Sequence, residues 1–285
     1  MLRFAYNTNG LAHHRLEDAL HLLSDLGFAG VALTPDVPHL DPYRIQPGDT
    51  DRIRGLLERL GLAVGVETGA RYLLDPRRKH APGLLDEEPE GRARRIDLHE
   101  RLIRIAAELG AEYISFWAGV APQGQPTEAS WRHLTQGLLR TAELAQAHSV
   151  RLSFEPEPGM FVETPGDFEQ LLARLDSQVE DLGLTLDVGH CLCTGDLPVS
   201  DVVRRHQHRL RAVHLDDIRG GIHEHLPLGE GDLDLTDALD SLQSIGFTGL
   251  ASVELSRDSH RGAELAQRSL SLLRARLHQT DSSPR

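Results

Sequence analysis

Apolar residues along this chain fall into two rhythms that take turns. Short apolar or β-branched runs of strand length are followed by longer stretches in which Leu, Ala and Ile recur every three or four positions. A glycine closes half of the longer stretches, as helix C-termini favour. Residues 2–7 predict a first strand, and residues 16–26 a helix with Leu16, Ala19, Leu20, Leu22, Leu23 and Leu26 at helical spacing, stopped by Gly27. Strands are predicted again at 30–36, 62–68, 111–117, 150–157, 181–187, 210–217 and 249–255. Helices are predicted between them at 51–60, 96–109, 130–148, 165–175, 199–208 and 235–245, with a last one at 261–277. Alternation of this kind without hairpin signals or a linker predicts an α/β fold, a closed parallel (β/α)8 TIM barrel. An open doubly wound sheet would usually carry a phosphate-binding G-x-G-x-x-G after its first strand, and the segment NTNGLAHH does not match it. The expectation is one domain over residues 1–278 and a disordered tail over 279–285.

One connection breaks the rhythm. Residues 69–95, rich in charge and proline, form a long loop after the third strand. Such loops are lids or solvated insertions. As a lid, this one would bring Arg71, Tyr72, Arg78, Lys79 or His80 to a ligand.

Composition narrows the chemistry. A net charge of −13 argues against a general nucleic-acid surface, and no apolar run approaches the length of a membrane span. The first ten residues show no apolar leader core. Cys191 and Cys193 are too close to staple a fold, which suits a reducing cytoplasm. Lys79 is the single lysine and sits in a polar loop, so Schiff-base chemistry from a strand end is not expected. The 16 histidines, by contrast, supply many metal-binding side chains.

In a TIM barrel, sites are built at the C-terminal ends of the strands. Strand five ends at Glu155, strand six (LTLDVGH) at Asp187, strand seven at His214 and strand eight at Glu254, each about one barrel repeat apart. Singly, each has a structural alternative: a surface carboxylate beside Glu157, a loop cap, a core histidine bonded to Asp216 or Asp217, or a partner for Arg257. Jointly, three carboxylates on one rim repel unless a cation lies among them. The expected metal ligands are therefore Glu155, Asp187, His214 and Glu254. Phe4, Tyr6, Trp117 and Phe154 are candidates to wall the pocket or fill the barrel.

E-x-E-P-G, D-V-G-H, V-H-L-D-D and V-E-L on four successive strands resemble the xylose-isomerase-like barrel superfamily. That group includes ketose 3-epimerases, hydroxypyruvate isomerase, inosose and dehydroshikimate dehydratases, and the apurinic-site endonuclease of the IV type. The resemblance implies a cytoplasmic isomerase or epimerase of carbohydrate metabolism, with a small sugar, polyol or related carbonyl substrate. It implies one divalent ion, Mn²⁺ or Mg²⁺, with Glu155 and Glu254 transferring a proton next to a carbonyl through a metal-stabilised enediolate. His190 and Arg219 match positions that bind substrate oxygens. A dehydratase using the same base is the alternative within the fold, and a non-catalytic metabolite-binding barrel is the alternative outside it.

The endonuclease branch implies further metal ligands. IHEHLPLGEGDLD resembles its segment after strand seven, with His225 matching and His223 standing where it has Asp. Trp117 and Glu67 or Thr68, however, stand where that branch has histidines, which together with the negative charge disfavours DNA cleavage. Glu67, Trp117 and His225 are therefore placed on the substrate side. A second ion at His190, His223 and His225 would suit Zn²⁺. Association into a homo-oligomer is compatible with all of these readings.

Overall fold

Each barrel strand must satisfy two environments, a helix layer outside and a narrow tube inside, and the period-two alternation of side chains separates them. The structure, a computed structural model, describes residues 1–69 and 71–281, with side chains to 277. In chain order the elements are β1 (Arg3–Asn7), α1 (Leu16–Leu26), β2 (Gly30–Leu33), α2 (Asp49–Leu60), β3 (Ala63–Glu67) and α3 (Pro89–Leu109). They continue with β4 (Ile114–Phe116), α4 (Thr127–Ala147), β5 (Leu152–Phe154), α5 (Pro165–Leu175), β6 (Gly183–Asp187), α6 (Val188–Thr194) and α7 (Val199–His206). The last are β7 (Leu210–Leu215), β8 (Asp217–Arg219), β9 (Ile222–Leu226), α8 (Leu235–Ser244), β10 (Leu250–Val253) and α9 (Gly262–Asp281). Eight parallel strands close in the order β1-β10-β7-β6-β5-β4-β3-β2, so the (β/α)8 barrel is the fold.

Outward positions such as Val64, Val66, Ile114, Phe116, Leu184, Leu186 and Val213 join the main core under the helices. Phe4, Tyr6 and Phe154 belong to that same core and do not wall a pocket. The inward set is different. Ala5, Ala212 and Leu250 pack around Tyr113, whose ring crosses Gly65. A Cβ on Gly65 would lie 2.2 Å from Tyr113 Cζ, so the strand must carry glycine there. Above this apolar plug the Ser115 hydroxyl donates to Thr185 Oγ1 (2.9 Å), which donates to Ser153 Oγ (2.7 Å). The next inward residues upward are Glu67, Glu155, Asp187, His214 and Glu254. The barrel thus grades from apolar to hydroxyl to ionisable along its axis.

Four features depart from the expected pattern. Helix α3 begins at Pro89 rather than near residue 96, with the proline in its first turn, which shortens the irregular part of the long loop. Its first turns hide in the sequence because the residue they bury is the polar Arg95. Helix α6 follows β6 directly, and β8 and β9 form an antiparallel hairpin after β7. At the C-terminus α9 reaches Asp281, into the expected tail, and residues 282–285 lie outside the described residues. Among the described residues no helix is long and apolar enough to cross a membrane.

The Gly65 contact is testable. Gly65→Ala should destabilise the barrel by ~1–3 kcal/mol through overpacking, read as a lower urea midpoint. An unchanged midpoint would show that Tyr113 has room to move.

Candidate active site

Four strand ends build the floor of the site. Asp187 is the last residue of β6 and His214 the next to last of β7, while Glu155 and Glu254 are the first residues beyond β5 and β10. Asp187 and His214 are register partners. His214 Nδ1 lies 2.9 Å from both Glu155 Oε1 and Glu254 Oε2, and its Nε2 lies 3.2 Å from Glu67 Oε1. Tyr113 rises from the plug to donate its hydroxyl to Glu67 Oε1 at 3.0 Å. Asn9, beyond β1, donates to Glu254 Oε1 at 2.7 Å. The donor atoms of Glu155, Asp187, His214 and Glu254 all lie within 4.8 Å of one another.

Crowding this many acids into a buried floor disturbs their ionisation. Burial lifts Glu155 to about 7, against the pull of His214, with Glu254 and Glu67 adding repulsion. Glu157 goes well above the usual carboxylate range for the same reasons, burial first and Glu155 next. Burial also opposes the charge on Glu254 and Asp187, but neighbouring imidazoles hold both below their ordinary values. For Glu254 these are His214 and then His225, with Asn9 helping; for Asp187 they are His190, His225 and His214. His214 is pushed well above the ordinary histidine value: burial works against its charge, but Glu155, Glu67 and Glu254 outweigh it. Without a cation, one imidazole serves three carboxylates, and buried Asp187 Oδ2 has no hydrogen-bond partner. This donor set fits a divalent ion that prefers oxygen with one nitrogen.

A second cluster lies beside the first. His190 Nε2 is 3.1 Å from His223 Nε2, which is 2.8 Å from His225 Nε2. His190 sits on α6, and the other two on β9 of the hairpin. His190 Nδ1 faces the Pro156 carbonyl (3.2 Å) and His225 Nδ1 faces Asp216 Oδ2 (2.6 Å). The Pro156 carbonyl can only accept, so His190 Nδ1 carries the proton, which in a neutral ring leaves Nε2 with its lone pair. Asp216 raises His225 to about 10 against the effect of burial, while burial, His190 and His225 drive His223 down to about 3. His225 adopts a left-handed backbone (φ 51°), which costs a non-glycine residue roughly 1–2 kcal/mol. The D-V-G-H motif also becomes intelligible: a Cβ on Gly189 would meet Asp216 Oδ1 at 1.9 Å. Asp217 accepts from the backbone N–H groups of Ile218, Gly229 and Leu233, so L-G-E-G-D-L is a loop tied to the hairpin rather than a ligand set.

The floor opens into a cavity of about 360 Å³. Glu67, Trp117, His214, His223, His225, Glu155 and Glu254 line it, as do Asn7, Asn9 and Glu157. The loop after β3 does arch over the strand ends, and Arg71, Lys79 and His80 line the cavity. Its anchor is Arg95 on α3. This buried guanidinium donates to the carbonyls of Pro82 (2.9 Å) and His80 (2.6 Å) and lies 5.0 Å over the Trp117 ring. Tyr72 and Arg78 stay outside; Tyr72 is exposed and Arg78 pairs with Asp75.

Two expected substrate contacts are placed elsewhere. Arg219 is exposed, because Gly220 and Gly221 turn the hairpin away and its guanidinium donates to the Glu230 carbonyl. His190 lies behind the cavity wall, turned toward His223 and His225. Asn9 and Tyr113 join the site with no motif to mark them, and Glu157, Asp216 and Arg257 join it although the sequence offers them only as structural partners. Asn9 obeys the same strand-end rule but is neutral. Glu157 was visible as the second acid of E-x-E but had no feature to set it above Glu155.

Comparison with known proteins places this geometry. Residues 20–276 match the family model described as xylose isomerase-like TIM barrel. Inosose dehydratase of Clostridium tetani is 25% identical over 156 residues, 49% of this chain and about half (51%) of that enzyme's length. The structure of 3-keto-D-glucoside 4-epimerase from E. coli superposes with a TM-score of 0.78 at 14% identity, covering 96% of this chain and 100% of that one. A probable 3-DHS dehydratase from Bacillus anthracis gives 0.77 at 16% identity, covering 96% and 99%. At such identities the structural likeness speaks for the fold alone. With the family model spanning nearly the whole barrel, the chain belongs to the xylose isomerase-like TIM barrel family.

Proposed function

We propose that this protein is a divalent-metal-dependent isomerase or epimerase acting on a sugar, polyol-derived or related carbonyl compound. One observation carries the reading: Glu155 and Glu254 approach His214 from two different strand ends, at equal distance, on the floor of a cavity sized for a small metabolite. Glu155, Asp187, His214 and Glu254 would hold the ion, Mn²⁺ or Mg²⁺ by their oxygen-rich chemistry. When bound, it supplies Lewis-acid polarisation of the substrate carbonyl. The protein's own part is proton traffic. A carboxylate oxygen of one glutamate takes the proton next to the carbonyl, and the other returns one. Asn9 fixes the Glu254 carboxylate, and Tyr113 and Glu67 hold His214 from the opposite side. Trp117 and the loop anchored by Arg95 cover the site and limit water.

The dehydratase reading has comparable support, since inosose dehydratase is among the relatives and the same base could start loss of water. The two readings separate on product. An isomerase or epimerase incorporates solvent deuterium without loss of mass as water, whereas a dehydratase gives an unsaturated carbonyl absorbing in the ultraviolet. Glu254→Gln should keep the fold and lower deuterium entry into a substrate by about 10²–10⁴-fold. Exchange at the wild-type rate in that variant would remove the two-glutamate mechanism.

The three-imidazole cluster supports a second ion of softer preference, Zn²⁺, at His190, His223 and His225. Pro156 and Asp216 would orient its ligands from behind. Elemental analysis of protein purified without chelator should then give about two equivalents of divalent metal, and His223→Ala should lose one. A single equivalent in the wild type, unchanged in His223→Ala, would leave one ion and make the histidines a hydrogen-bonded cluster. Refilling metal-stripped protein should raise its stability by about 3 kcal/mol or more at hundredfold saturation. No change in melting temperature would contradict metal binding altogether.

A further inference from the structure

The cavity has two poles of opposite sign, and the basic one is not used by the mechanism above. Its floor carries Glu67, Glu155, Glu157 and Glu254. Its rim carries Arg71 and Lys79 from the loop after β3 and Arg257 from the loop after β10. The two loops are joined there, because Arg71 Nη2 donates to the Ser256 carbonyl at 2.8 Å. Arg257 Nη2 donates to the His223 carbonyl at 2.8 Å, and its nearest carboxylate is Glu224 at 3.9 Å. Among the described residues no carboxylate lies within ion-pair distance of Arg71 or Lys79. Elsewhere on the molecule Arg52, Arg101, Arg174 and Arg268 each hold an aspartate or glutamate. The sole lysine of a chain with net charge −13 stands at the cavity mouth. Burial and then the charge of Arg71 depress its ammonium, with Arg257 adding a smaller effect. Glu157 and Glu254 act on it in the opposite sense, but Glu254 is engaged by His214 and Asn9 below.

Three cations lining one rim favour any anion that enters there. Two guanidinium forks beside a point-charge ammonium suit a carboxylate or a phosphate, groups of the same planar or three-oxygen chemistry. A neutral ketose would leave this rim unmatched.

We propose that the substrate carries an anionic group, a carboxylate or a phosphate ester, at the end remote from the metal-site floor, and that Arg71, Lys79 and Arg257 bind it. The inference rests on the proposed function for where the reacting end lies, but its test reads binding alone. Lys79 being the single lysine, its acylation by an amine-selective reagent can be followed on its own peptide by mass spectrometry of the full-length protein after digestion, apart from the α-amino group. D-fructose 6-phosphate, D-gluconate and D-fructose are compared at matched ionic strength, with and without added Mn²⁺. A saturating anionic ligand should slow Lys79 modification about tenfold while D-fructose does not, and Arg71→Gln should abolish the protection. Protection by the phosphate ester alone identifies a phosphorylated substrate, and by gluconate alone a sugar acid. Equal rates with all three ligands, or protection by D-fructose alone, would overturn the proposal. Running the same assay in Glu254→Gln keeps the two readings apart. Protection that persists there supports the rim whatever becomes of the proton-transfer mechanism, and its absence in both proteins counts against the rim only.

Discussion

Repulsion among buried carboxylates is the constraint around which the upper half of this barrel is arranged. Glu67, Glu155 and Glu254 all reach His214, with Asp187 packed alongside and Glu157 above. A single imidazolium cannot satisfy so many acids in a medium that screens charge poorly. The cation proposed for these four strand ends would offset that repulsion. Everything nearby serves to hold the donors in place: the Tyr113 hydroxyl rising from the plug, the Asn9 amide on Glu254, and the hydroxyl layer that insulates the floor from the apolar interior.

The two clusters are physically continuous. Asp187 contributes to the first, accepts the His190 backbone N–H through Oδ1, and leaves Oδ2 facing His190 Nε2 at 3.7 Å. The hairpin of β8 and β9 brings His223 and His225 over the same aspartate, with Asp216 fixing His225 and the bare Gly189 making room for Asp216. The rim is tied to this assembly too, because Arg257 bonds the His223 carbonyl and Arg71 bonds the carbonyl of Ser256, the residue before Arg257.

The barrel and its floor were legible because both follow from short-range rules. Helix and strand periods differ, glycine marks the stops, and a titratable residue ending each of four strands has one destination in a closed parallel barrel. What escaped has equally specific causes. The first turns of α3 bury an arginine, so they carry no apolar stripe. Tyr113 and Gly65 are a size-matched pair across two strands, and no one-dimensional pattern encodes that. The placement of Arg219 depended on the turn taken at Gly220–Gly221, which reverses the chain and carries the guanidinium outward. LTLDVGH delivers Asp187 and His190 side by side, but to different clusters. Asp187 joins the carboxylates at the strand ends, whereas His190, one helical turn on and still 3.7 Å from Asp187 Oδ2, joins the hairpin histidines.

The claim beneath all of this is that a divalent cation resides among Glu155, Asp187, His214 and Glu254. Crystals grown with Mn²⁺ and measured at the manganese absorption edge test it most directly. The account predicts an anomalous peak bounded by those four side chains, with His214 Nδ1 no longer shared between two glutamates. A map without a peak there, with His214 still held by Glu155 and Glu254, would contradict it.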